Sequence, residues 1–166
     1  MPDPSPSTSE ELFRKAIDQL EHKQYQQCIS MLRTAMDTEK QTSAAPRMKH
    51  LSYLGLALTL SQGRSEEGQK LCEQAVKREF YDADLFCNLG IVSMRNRRRK
   101  QAFEAFRKGL ALRPKHPRII EELDRHERRQ DAVFPALPRN HSLNRIAGKL
   151  RYRFRLLFQR DSLASD

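Results

Sequence analysis

Apolar side chains recur along the first 116 residues at intervals of three and four, in paired stretches separated by short polar segments. Leu85, Phe86, Leu89 and Val92 fall on one helical face. Ala102, Ala105, Phe106, Gly109 and Leu110 fall on another, beyond a polar turn. Intervals of three and four place side chains on one side of an α-helix, so each stretch predicts a helix with one buried stripe.

The paired arrangement repeats. Leu54-Gly55 and Leu89-Gly90 stand 35 residues apart, whereas Gly68, Cys72, Ala75 and Phe80 stand 34 residues before Ala102, Phe106, Gly109 and Pro114. A one-residue insertion in the turn 61–65 accounts for the slip. A more divergent copy places Leu12 and Ala16 where Leu51 and Gly55 stand, and Cys28, Leu32 and Ala35 where Gly68, Cys72 and Ala75 stand. Three units follow, 9–42, 47–81 and 82–116. Ala16, Gly55 and Gly90 share one position, and Cys28, Gly68 and Ala102 share another. A glycine inside a helix costs about 1 kcal/mol relative to alanine. Its recurrence predicts a close helix–helix approach.

This pattern resembles the tetratricopeptide repeat, a helix–turn–helix unit. In the third unit Leu89-Gly90, Ala102, Phe106 and Pro114 match family positions; Phe86, Ser93 and Gly109 replace the usual Trp, Tyr and Ala. The second unit keeps Leu54-Gly55 and Ala75, with Gly68, Cys72 and Phe80 for the usual Ala, Phe and Pro. The first rests on Leu12, Ala16, Cys28, Leu32 and Ala35. The resemblance implies an all-α fold, a right-handed α-solenoid of about three helix–turn–helix units. It also implies a concave face, lined by the first helix of each unit, that binds a peptide or amphipathic helix. On that implication the facing residues are Phe13, Ile17, Ser52, Leu56, Thr59, Cys87, Asn88, Ile91, Met94 and Arg95, a mostly apolar groove with a basic end. Some family members clamp a C-terminal carboxylate with Lys, Asn and Arg. Only Asn88 matches that clamp here, while Phe13, Ile17 and Tyr53 stand at its other positions. The implied role is a non-enzymatic protein–protein interaction adaptor.

Outside the repeats, residues 1–8 read as a disordered leader, with Ser9 as the cap that opens the first helix. Residues 117–130 read as a capping helix, apolar at Ile119, Ile120 and Leu123 and charged outside, which shields the open edge of a repeat array. A Pro-containing linker, 131–141, leads to a basic amphipathic helix, 142–160, and a disordered tail, 161–166. In that helix Leu143, Ile146, Ala147, Leu150, Phe154, Leu157 and Phe158 share one side. The piece 151–156 also alternates as a strand would, but the longer stripe favours a helix.

Charge adds a second reading. The net charge is +10, yet residues 1–90 sum to −2 and residues 91–166 to +12. Such asymmetry points to an anionic partner. Arg97, Arg98 and Arg99, in the turn of the third unit beside Arg95 and Lys100, and Lys149, Arg151, Arg153 and Arg155 in the tail are the expected contacts. The alternative function is therefore binding of nucleic acid or of an anionic membrane surface through the Arg-rich C-terminal half.

Candidate chemistry is sparse. Cys28, Cys72 and Cys87 lack ligand spacing, and the five histidines are dispersed. His126-Glu127-Arg128-Arg129-Gln130 lacks the second histidine of a zinc-protease helix. No catalytic residue, metal, cofactor or small-molecule substrate is expected. The longest apolar run, 51–60, falls short of the roughly 20 residues that span a bilayer. The N-terminus lacks the apolar core of a secretory signal. A cytoplasmic protein, peripheral to a membrane at most, is the expectation.

Overall fold

Each stretch with three-and-four periodicity in the repeats forms a helix. The computed structural model describes residues 6–41, 47–63 and 65–127. These form α1 (Pro6–Glu21), α2 (Tyr25–Gln41), α3 (Met48–Gln62), α4 (Ser65–Arg78), α5 (Ala83–Arg95), α6 (Arg99–Leu112) and α7 (Pro117–Glu127), with no strand among the described residues. Helices pack in succession: α1 on α2, α3 on α4 and α5 on α6, joined through α2 on α3, α3 on α5 and α4 on α5. This is the α-solenoid arrangement. Residues up to Ile120 form one unit, and a second begins at Glu121. Its described part is the end of α7, where Arg125 bonds Glu121 and Glu122 one turn back.

Helix α3 is the centre of the first unit. Its residues from Leu51 to Thr59 are all buried, because α1, α2, α4 and α5 surround it. A helix buried all round needs no polar stripe, which explains its run of apolar residues. One core cluster joins Ala16, Cys28, Leu32, Tyr53 and Leu58 across α1, α2 and α3. Another joins Leu56, Cys72, Phe86, Leu89, Val92 and Ala105 across α3 to α6.

The recurring small residues mark the helix crossings. A Cβ on Gly55 would stand 2.7 Å from the carbonyl oxygen of Gly68, and one on Gly68 would strike the Gly55 carbonyl and the Thr59 hydroxyl. Thus α3 and α4 meet backbone to backbone. At Gly90 the missing Cβ makes room for the Phe106 ring.

Among the described residues, the turn inside each unit contains one left-handed residue: Lys23 (φ 60°), Gly63 (φ 63°) and Arg97 (φ 60°). Each stands five residues before the small residue of the second helix, Cys28, Gly68 or Ala102. The spacing from turn to second helix is therefore constant. The extra residue of the second unit lies on the helical side of Gly63, and α3 has 15 residues where α5 has 13.

One expected boundary and one expected cap are corrected. Helix α1 begins at Pro6, inside the expected leader 1–8. Proline suits a first helical position, since it has no N–H to leave unbonded and its φ is already helical. Ser9 is therefore not a cap; its buried hydroxyl donates to Glu39 Oε1 on α2 at 3.0 Å. Residues 128–130 of the expected capping helix, the linker 131–141, the basic helix 142–160 and the tail 161–166 lie outside the described residues, as do residues 1–5.

Candidate interaction surfaces

The face shared by α1, α3 and α5 has a polar floor. Arg118, the second residue of α7, donates from Nη1 to Tyr53 Oη (3.0 Å) and from Nη2 to Asn88 Oδ1 (3.1 Å). Asn88 Nδ2 donates onward to Ser52 Oγ at 3.1 Å. Tyr53 and Asn88 are equivalent residues of successive units, so one guanidinium bridges two repeats. Burial pushes the Tyr53 hydroxyl up to about 12, against the pull of the Arg118 charge. Phe13 lies on the His50 ring (centroids 4.5 Å apart) and meets Tyr53 edge-on at 5.4 Å.

Half of the expected facing residues belong to this packing. Ser52, Leu56, Thr59, Cys87 and Asn88 are buried. Leu56 packs with Cys72, Phe86 and Leu89. Thr59 bonds the Gly55 carbonyl (2.9 Å) at the crossing with Gly68. Ser52 and Asn88 bond each other. The expectation that these five face a ligand is corrected: the chain's own helices occupy them. Phe13, Ile17, Ile91 and Met94 are half-buried, and Arg95 is exposed. Leu20 and Leu60, not expected, join Ile91 as partly buried apolar residues against the second core cluster. All three cysteines are buried, and no disulfide links them. Burial pushes the thiols of Cys28 and Cys72 up to about 12, which makes them poor nucleophiles.

Two ionic clusters between units were not foreseen. Glu39, only 4 % exposed, takes the Ser9 hydroxyl and faces His50 Nδ1 at 3.0 Å and Arg47 Nε at 3.7 Å; Arg47 also pairs with Glu10. Burial drives the His50 pKa down, and this exceeds the opposing pull of the Glu39 charge and hydrogen bond, while Arg47 adds to the lowering. In the second cluster Asp84 Oδ2 meets Lys49 at 3.6 Å, and its Oδ1 meets His116 Nε2 at 2.8 Å. The other ring nitrogen of His116 accepts the Ile119 N–H at 3.4 Å, so the imidazole caps α7. Burial raises the Asp84 pKa, but the His116 hydrogen bond and the charges of Lys49 and Arg113 outweigh it and hold the carboxyl below its usual range. Lys49, Asp84 and Arg118 are each the second residue of a first helix. Comparing equivalent repeat positions, rather than following one helix, would have revealed the series of alternating sign.

The basic turn holds one paired arginine among unpaired cations. Arg98 is taken, since its Nη2 donates to both Glu66 oxygens at 2.8 Å. Arg95, Arg97, Arg99, Lys100, Arg107 and Lys108 are exposed, and none forms an ion pair among the described residues. Helix α6 opens with Arg99 and Lys100, has no acid in its first turn and no side-chain cap. Helix α4 does the reverse, with Glu66 and Glu67 first and Lys77 and Arg78 last. A helix dipole favours the α4 arrangement, and each exposed charge set against it costs about 0.3–1 kcal/mol. Arg97 adds about 1–2 kcal/mol for its left-handed backbone. Lys149, Arg151, Arg153 and Arg155 lie outside the described residues.

No protein-family model and no curated protein matches the chain. Solved structures do match. The Arabidopsis OM64 TPR domain is similar with a TM-score of 0.57 at 16 % identity, over 74 % of this chain and 96 % of that one. A chain of the Naa15/Naa10 complex bound to HypK-THB is similar with a TM-score of 0.62 at 21 % identity, over 93 % of this chain but only 20 % of that one. At these identities the likeness establishes the fold.

Proposed function

We propose that this chain, which has the tetratricopeptide-repeat fold, is a non-enzymatic adaptor that binds a protein segment on the face shared by α1, α3 and α5. The observation that carries this reading is the row of half-buried apolar side chains there: Phe13, Ile17 and Leu20 on α1, Leu60 on α3, and Ile91 and Met94 on α5. The polar groups beneath, Tyr53, Asn88 and Arg118, are bonded to one another. Such a face offers apolar contact over a floor of polar groups that bond one another, which suits the apolar stripe of an amphipathic helix. Met94 adds an adaptable side chain, and Arg95 offers a charge at the end of the row. No helix among the described residues is long and apolar enough to cross a membrane, and we place the adaptor in the cytoplasm.

The test is site-specific photocrosslinking of the full-length chain in native lysate. A crosslinker at Ile17 or Met94 should capture one defined protein that a crosslinker at Gln74 does not. Ile17→Glu and Met94→Glu should each weaken binding of that protein at least tenfold with the helical content unchanged. Undiminished binding by both variants would exclude this face.

A further inference from the structure

We propose that the outer surface of α6 and the turn before it bind the phosphodiester backbone of nucleic acid, through Arg97, Arg99, Lys100, Arg107 and Lys108. The surface lies on the second helix of a unit, not on α1, α3 or α5, so it stands whether or not a protein segment binds there.

The electrostatic arrangement of this surface is one that the fold itself does not need. Several cations of the array have acid partners, such as Lys15 with Glu11, Lys40 with Asp37, Arg47 with Glu10 and Glu39, and Lys49 with Asp82 and Asp84. Among the described residues, the unpaired cations outside 97–108 are not gathered as densely on one helix face. The five residues named form no such pair among the described residues. From 97 to 108 the only acid is Glu104. At 100° per residue, Arg99, Lys100, Arg107 and Lys108 share one half of the helix. Arg97 joins them from a left-handed turn, and Arg99 and Lys100 sit against the helix dipole. The left-handed backbone of Arg97 is common to all three turns, but two cations set against a helix dipole in one exposed, acid-poor place mark a site kept for a ligand rather than for folding. An anion reverses both electrostatic penalties on binding.

The form of the surface selects the polyanion. Three of the five cations are arginines, whose planar fork pairs with phosphate oxygens. From Arg99 to Lys108 the helix rises about 14 Å, a length along which duplex DNA carries about eight phosphate charges. A shallow depression lined by Arg97, Arg98, Arg99, Lys100, Gln101 and Glu104 opens the turn to a backbone lying across it. Membrane binding needs apolar side chains to insert beside the cations. The exposed large apolar residues of the described chain, Phe80, Tyr81, Leu112 and Ile120, all lie outside 97–108.

The experiment measures binding of the full-length chain to a labelled DNA duplex and to a labelled single-stranded RNA, across about 50 to 200 mM salt. One variant carries Arg97→Gly, Arg99→Gln, Lys100→Gln, Arg107→Gln and Lys108→Gln. A comparison variant carries Lys149→Gln, Arg151→Gln, Arg153→Gln and Arg155→Gln. Binding by the unaltered chain should weaken steeply with salt. In the α6 variant the slope of log affinity against log salt should become shallower by about 4.5 on duplex, or about 3.5 on a single strand. The comparison variant should retain that α6 contribution, and the two nucleic acids distinguish the source of the phosphates. A slope unchanged in the α6 variant would overturn the proposal. So would binding to phosphatidylserine vesicles with none to either oligonucleotide. A second measurement needs no variant: bound oligonucleotide should shield Lys100 and Lys108 from acetylation, and undiminished acetylation would equally refute it.

Discussion

Lys23, Gly63 and Arg97 occupy one position of three successive turns with φ near 60°, but only one is the residue that adopts this backbone freely. A side chain there brings Cβ against the following carbonyl, at about 1–2 kcal/mol. Lys23→Gly should therefore raise the unfolding free energy by about 0.5–1 kcal/mol, less than the full relief because glycine also loosens the unfolded chain. Gly63→Ala should lower it by about 1 kcal/mol, although a Cβ there meets nothing within 4 Å. Urea denaturation with an unchanged m value checks both. A loss on Lys23→Gly would show that the lysine side chain holds the turn. Gly63 was legible as a turn residue, whereas Lys23 and Arg97 were not, because only their distance from the next small residue marks them.

At the scale of the element, glycine does two different jobs that look alike in sequence. Gly68 and Gly109 both sit inside second helices. A Cβ on Gly68 would meet the backbone carbonyl of Gly55, which cannot move unless α3 moves. A Cβ on Gly109 would meet Ile119 Cδ1 at 2.5 Å, the free end of a side chain, and Phe86 Cβ at 3.3 Å. Overpacking costs about 1–3 kcal/mol, and the helix preference of alanine returns about 1 kcal/mol. Gly68→Ala should thus destabilise by about 2 kcal/mol, while Gly109→Ala should stay within about 1 kcal/mol of the parent. Chemical denaturation of the two variants decides, and equal losses would mean that α6 is held as rigidly as α4. The shared position of Gly68 with Cys28 and Ala102 announced a close approach. How near the neighbouring backbone comes depends on the crossing of two helices, which no single stretch contains.

For the whole molecule, stability in acid depends on the two clusters between units. The His50 pKa is depressed from 6.5, so the unfolded chain binds the proton more readily. That contribution is complete above about pH 6.5 and is lost as pH falls through the folded value. Asp84 is depressed from 3.8; its contribution is complete above about pH 4 and is lost below that. The thermal midpoint should fall in two stages on acidification, one below about pH 6.5 and one below about pH 4. His50→Gln should flatten the first stage and leave the second. A first stage unchanged in that variant would place the titration elsewhere. Neither cluster was visible as a cluster in the sequence, since Ser9, Glu39 and His50 come from three helices.

The sequence by itself determined the helices, their pairing and the positions of close approach, because each rests on local periodicity and on a spacing repeated near 34. It also determined that positive charge gathers after residue 90. The tertiary structure decided which of those residues are available. Ser52, Leu56, Thr59, Cys87 and Asn88 share the register of Ile91 and Met94, yet α4, α5, α7 and their neighbours bury them. Arg98 stands among free arginines, yet Glu66 of the preceding unit holds it. Register follows from the chain's own periodicity. Exposure and pairing depend on what a distant segment brings alongside, and that is set only when the helices pack.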